Sequence, residues 1–238
     1  MEQVSLKKAY QTKAVYRWIP LWEVLGVFGT AIFLLWIAGR WLEPNPILTH
    51  AVVWTTYLLV MTIIWRLQKG HSQRWALLGL DWKDNFSWRS TILRSLIVFV
   101  GATVAFIVVG MLAANFGWAP QQADLSGYDF LKGNLPLVLL SLLAVYISAS
   151  FGEEVVFRGF LITRLHRLFE GFYPGFWAVM ISGVIFGLAH FSWGLLGIIQ
   201  TAAMGWTLGY FYLRYGRNLW ITILAHAYMD TILILQMY

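Results

Sequence analysis

The chain has 238 residues, of which 59% are hydrophobic and 12% charged. Soluble domains carry about 25% charged residues, so the polar surface of a water-soluble fold is excluded and one integral membrane domain over 1–238 is expected. The absence of cysteine excludes disulfides, haem attachment and thiolate metal sites, and the net charge of +6 lies beside apolar runs, which points to a lipid bilayer rather than nucleic acid.

Lys7, Lys8, Lys13 and Arg17 precede the first apolar run with no small-residue cleavage site, the pattern of a retained signal anchor. Runs of about 20 apolar residues then predict about seven transmembrane helices, near 18–39, 47–67, 91–114, 135–157, 174–193, 195–213 and 218–237. The fifth and sixth are separated only around Trp193 and Gly194. Trp18, Trp22, Trp41, Trp65, Trp177 and Trp220 stand near run ends, where an aromatic belt would lie. Residues 70–90 mix Trp75, Leu77, Leu78, Leu80, Trp82 and Trp88 with charges, which predicts an interfacial amphipathic helix. The stretch 115–134, with Pro120, Asp124, Gly127 and Asp129, reads as the longest extracytoplasmic connection. Of the 17 basic residues, all but Arg40 and Lys132 fall inside if the N-terminus is cytoplasmic. The predicted fold class is an all-α polytopic membrane bundle, with N-terminal spans in 1–134 and a catalytic core in 135–238.

Ionisable groups inside apolar spans are costly and mark a functional site by default. Glu154 and Arg158 are four residues apart on one helix face and predict an ion pair, leaving neighbouring Glu153 to point elsewhere. No helix breaker follows Gly159 before Gly171 and Pro174, so this helix is expected to run to Phe169 and its hairpin to protrude into the cytoplasm with Arg164 and Arg167. Glu153 and His190 then stand at nearly equal residue counts from the turn at Gly171, which predicts that they pair. His226 and Asp230 share a face of the last span, and Phe186, one turn before His190, is positioned to pack over the site. Gly183 with Gly187, and Gly205 with Gly209, have the spacing of closely packed membrane helices.

At these residues the chain resembles the CAAX prenyl protease and bacteriocin-processing (CPBP, or Abi) family of intramembrane endopeptidases. The matching motifs are Glu153-Glu154-Val155-Val156-Phe157-Arg158, Phe186-Gly187-Leu188-Ala189-His190 and His226-Ala227-Tyr228-Met229-Asp230. The resemblance covers about residues 135–237. It implies hydrolysis of a peptide bond near the surface of a plasma membrane, bacterial by family type, in a membrane-embedded or lipidated peptide or protein. By the same resemblance Glu153 activates a water, His190 helps to hold it, and His226 with Asp230 stabilises the oxyanion or orients the carbonyl. Asp230 departs from the Asn common at that position, and a carboxylate donates a hydrogen bond only when protonated.

No cofactor is favoured, but two His and one carboxylate (Glu153, His190 and His226) also make a catalytic zinc set. Two further readings stay open. One is a catalytically silent peptide-binding or immunity protein; the other is an ion-coupled carrier, against which the absence of repeats counts.

Overall fold

The computed structural model describes residues 2–41, 46–68, 74–81, 87–118, 126–171 and 173–238. The side chains of Lys7, Lys8, Lys13 and Arg17 lie outside this description, as do residues 119–125 of the long connection and much of the amphipathic segment. Eight helices follow one another: α1 (Glu2–Trp41), α2 (Pro46–Leu67), α3 (Arg74–Leu77), α4 (Trp88–Asn115), α5 (Leu135–Leu168), α6 (Pro174–Ala189), α7 (Gly194–Arg214) and α8 (Leu219–Leu235). Short 3-10 turns occur at Ser126–Leu131 and Phe191–Trp193, and no strand occurs among the described residues.

The protein is an all-α membrane protein, and every apolar run predicted to span is helical. Three helices are long and apolar enough to cross a bilayer: Trp18–Trp41, Trp88–Asn115 and Leu135–Leu168. The pair Pro174–Ala189 and Phe191–Arg214 bends by 66° at its break, and makes a fourth crossing if it is one broken span. Ala51–Leu67 and Leu219–Leu235 are apolar but shorter, so length alone supports fewer full crossings than the seven expected. The face pattern is that of a protein in lipid. Helix α4 buries Thr91, Ser95 and Ala102 and exposes Leu93, Ile97, Val100, Val104 and Met111, an outward apolar surface that water would not tolerate.

The described chain divides into two compact units. The first takes in Met1–His71 and Thr163–Ala178. Here α1 packs on α2 and on the last turns of α5, with Val24, Val27, Val60 and Ile64 buried. Arg164 pairs with Glu23 of α1 and is buried. Because α5 stays helical to Leu168, Arg158 and Arg164 are interior groups rather than loop cations. They therefore drop out of the inside-positive count.

The second unit, Ser72–Ile162 with Val179–Tyr238, holds every candidate site residue. Helix α4 packs on α7 and α8, and α8 packs on the middle of α5. Val98, Leu208, Ile221 and Ala225 form one core cluster; Leu131, Val138 and Ile234 form another. Helix α8 starts where the Asn218 side chain accepts from Trp220 N–H at 3.1 Å, an N-cap that fixes the entry of the strand of chain bearing His226. Among the described residues of the amphipathic segment, Arg74–Leu77 form a single helical turn, after which Leu78 and Leu80 are buried. Gly79 accepts a backbone bond from Leu219 N–H at 2.9 Å; its φ of +81° and a Cβ that would fall 2.1 Å from the Arg217 carbonyl oxygen both require glycine.

Helices α6 and α7 approach closely, as the small-residue spacing predicts. A Cβ on Gly205 would stand 3.0 Å from the Gly183 Cα, and one on Gly183 would strike the Trp206 ring. That approach sets the bend carrying His190 against α7.

Candidate active site

The site begins with a local irregularity. From Tyr146 to Ile162 helix α5 is wound with i→i+5 hydrogen bonds, a π-helical geometry that occurs mostly at functional sites. Within it, Glu154 and Arg158 meet at 2.8 Å, as their spacing predicts, with side chains 0% and 1% exposed. Arg158 Nη2 also reaches the Gly205 carbonyl at 3.5 Å, and the guanidinium lies 4.4 Å from the Phe186 ring centroid, while Arg158 Nε and Glu154 Oε2 are buried without a hydrogen-bond partner among the described residues.

Glu154 has a second role that its spacing does not reveal. The same oxygen that accepts from Arg158 stands 2.9 Å from His226 Nδ1. A carboxylate only accepts, so Nδ1 carries the proton and Nε2 is turned to the opposite side. There it faces two more carboxylates, Glu153 Oε2 at 4.0 Å and Asp230 Oδ1 at 3.8 Å. Those separations exceed a direct hydrogen bond and match a space that a water or a substrate atom bridges. Asp230 in turn accepts from Ser150 Oγ at 2.6 Å.

His190 is the last group to arrive. Helix α6 ends at Ala189, so His190 lies in the bend and not within a continuous fifth span. Its Nδ1 is 2.9 Å from the Phe186 carbonyl, which again fixes the proton on Nδ1 and leaves Nε2 as an acceptor. Its ring packs 4.8 Å from Phe186, centroid to centroid, and Phe186 stands 6.1 Å from His226 and 5.1 Å from Phe157. Phe186 is thus the apolar post around which Arg158, His190 and His226 are arranged. Across a 4.0 Å gap, Glu153 Oε2 faces His226 Nε2.

Of the set Glu153, His190 and His226, His226 Nε2 stands 4.0 Å from Glu153 Oε2, against roughly 3.3–3.4 Å between tetrahedral zinc ligands at about 2.0–2.1 Å from the ion. Among the described residues no three His, Asp or Glu side chains are grouped as ligands. Ser150 and Glu23 escape sequence reasoning. Ser150 carries one faint signal, since it lies four residues before Glu154 on the same helix face.

Residues 135–232 match the family described as Rce1-like, type II CAAX prenyl endopeptidase. The chain is also similar to the Bacillus subtilis (strain 168) protein named "Putative membrane peptidase YdiL", with 32% identity over 97 residues, 40% of this chain and 37% of that protein. A second relative from the same organism, "Uncharacterized protein YpbD", is 28% identical over 146 residues, 59% of this chain and 68% of the relative. The chain therefore spans little more than a third of the first of these relatives. No solved structure matches. The matched segment, residues 135–232, contains all three motifs and every residue of the cluster just described.

Proposed function

We propose that the protein is an intramembrane endopeptidase of a bacterial plasma membrane, hydrolysing a peptide bond in a membrane-embedded or lipidated peptide or protein without a metal. The observation that carries this reading is the 4.0 Å space between Glu153 Oε2 and His226 Nε2, with His226 held from behind by Glu154.

In this reaction a water occupies that space, and Glu153 takes one of its protons as general base. The free acceptor Nε2 of His190 orients the water's second proton. The hydroxide oxygen bonds to the scissile carbonyl carbon, and the electron pair moves to the carbonyl oxygen. His226, when it carries a second proton, donates from Nε2 to that oxyanion; before substrate arrives, the Asp230 and Glu153 carboxylates stabilise that charge across 3.8 and 4.0 Å. The C–N bond then breaks as Glu153 returns its proton to the leaving amine. Glu154 and Arg158 do not touch substrate: they orient and neutralise. General acid–base catalysis of this kind contributes about 10²–10⁴-fold, and Phe186 with Phe157 keeps the site dry enough for the fixed donors to act at full strength.

The test is cleavage by purified protein in lipid nanodiscs of two fluorogenic peptides, one ending in a farnesylated Cys-aliphatic-aliphatic-X sequence and one an unmodified transmembrane peptide. Cleavage of either by wild type, abolished by Glu153→Gln, supports the reading. A folded wild type that binds a peptide and cleaves neither would make it a silent binder.

A further inference from the structure

Ser150 behaves unlike an ordinary serine in an apolar helix. Such a residue donates its hydroxyl proton to a carbonyl one turn back, and Ser148, two residues earlier, does so, reaching the Ala144 carbonyl at 2.9 Å. Ser150 is 1% exposed and sends its proton across to another helix, to Asp230 Oδ2 at 2.6 Å. A rung below, Tyr146 and Thr231 are joined at 2.7 Å. Thr231 already donates to the Ala227 carbonyl at 2.6 Å, so Tyr146 is the donor of this rung. Both bonds run from the wide-wound part of α5 to consecutive residues of α8. Together they lock the register of α8 against the helix that carries Glu153.

From this geometry we infer that Ser150 is a positioning residue for catalysis: its hydroxyl fixes the Asp230 carboxylate so that Oδ1 faces His226 Nε2. The inference rests on the endopeptidase reading above. The chemistry is specific to aspartate at 230. A carboxylate has no proton to offer His226 or a neighbour, so a donor must hold one oxygen if the other is to keep its direction. With Oδ2 held by Ser150, Oδ1 stands 3.8 Å from Nε2, on the side of the imidazole that Glu154 does not occupy. Without Ser150 the carboxylate turns about its Cβ–Cγ bond, and the acceptor facing Nε2 is lost for part of the time. Asp230 then no longer keeps a carboxylate oxygen facing Nε2 across the 3.8 Å gap.

The closing experiment compares wild type, Ser150→Ala, Ser150→Thr, Asp230→Ala and the Ser150→Ala/Asp230→Ala double variant, on whichever of the two peptides wild type cleaves, with Glu153→Gln as reference. Ser150→Ala is expected to lower kcat about tenfold to a hundredfold, the loss typical of a hydrogen bond to a charged acceptor, with KM unchanged. Ser150→Thr, which keeps the hydroxyl, restores most of it. The double variant is no slower than Asp230→Ala, because both act through one group. Wild-type kcat in Ser150→Ala, or a full additional loss in the double variant, would overturn the assignment. An arm independent of activity reads the carboxylate band of Asp230 by infrared difference spectroscopy, identified by its disappearance in Asp230→Ala. It shifts in Ser150→Ala and returns in Ser150→Thr; an unmoved band also overturns the inference. Should Glu153→Gln cleave like wild type while the band shifts, the endopeptidase mechanism fails and the Ser150–Asp230 coupling stands.

Discussion

Glu154 holds His226 through Nδ1 at 2.9 Å while the same carboxylate oxygen accepts from Arg158 at 2.8 Å. One buried oxygen thus ties the first motif to the third, and an ion pair that reads as structural in the sequence also sets the tautomer and aim of the His226 imidazole. Removing either end has different consequences. Arg158→Ala leaves Glu154 buried and short of its strongest partner, a loss of about 3–5 kcal/mol for a broken buried pair. It is expected to cut the yield of folded protein and its thermal midpoint along with activity. Normal yield with lost cleavage would instead make Arg158 a group that acts on substrate.

Glu154→Gln keeps shape and accepts through its carbonyl, but cannot neutralise Arg158. Cleavage should fall by about 10²-fold or more, because His226 loses its charged anchor, while the thermal midpoint falls less than in Arg158→Ala. Steady-state kinetics beside a melting curve separate the two losses.

His190 makes ring contacts and one backbone bond at a bend, and it is only half-buried. His190→Ala should therefore lower kcat about 10²–10⁴-fold with little change in folded yield. Equal loss of yield and rate would reduce His190 to a packing residue.

In the other unit, Arg164 is 3% exposed and pairs with Glu23, a partner 141 positions away in sequence. Glu23→Ala should lower the thermal midpoint, and Glu23→Ala with Arg164→Leu should recover most of it, because the second change removes the stranded cation. A double variant no more stable than Glu23→Ala would show that the pair does not couple. This charge pair belongs to folding, and cleavage by the folded fraction is expected to be unchanged.

Much of the second unit is legible in the sequence because its contacts are local or periodic. The Glu154–Arg158 and His226–Asp230 relationships follow from helix spacing. The continuation of α5 to Leu168 follows from the lack of any breaker after Gly159. What escapes is long-range or depends on non-α backbone. The π-helical winding of Tyr146–Ile162 has no Pro to announce it. Gly194, with φ +72°, is the one signal near the break between α6 and α7, and it lies after His190 rather than at it. Glu23 and Ser150 are single polar residues in apolar runs, and only tertiary structure brings them Arg164 and Asp230.

The central claim is that Glu153 activates a metal-free water. Its most direct test is cleavage by wild type and Glu153→Gln after exhaustive chelation, with zinc content measured on the same samples. Full wild-type activity without stoichiometric zinc, and loss of about 10²-fold or more in Glu153→Gln, is the predicted result. Cleavage by Glu153→Gln at the wild-type rate, or activity that tracks one zinc per chain and vanishes with it in His226→Ala, would contradict it.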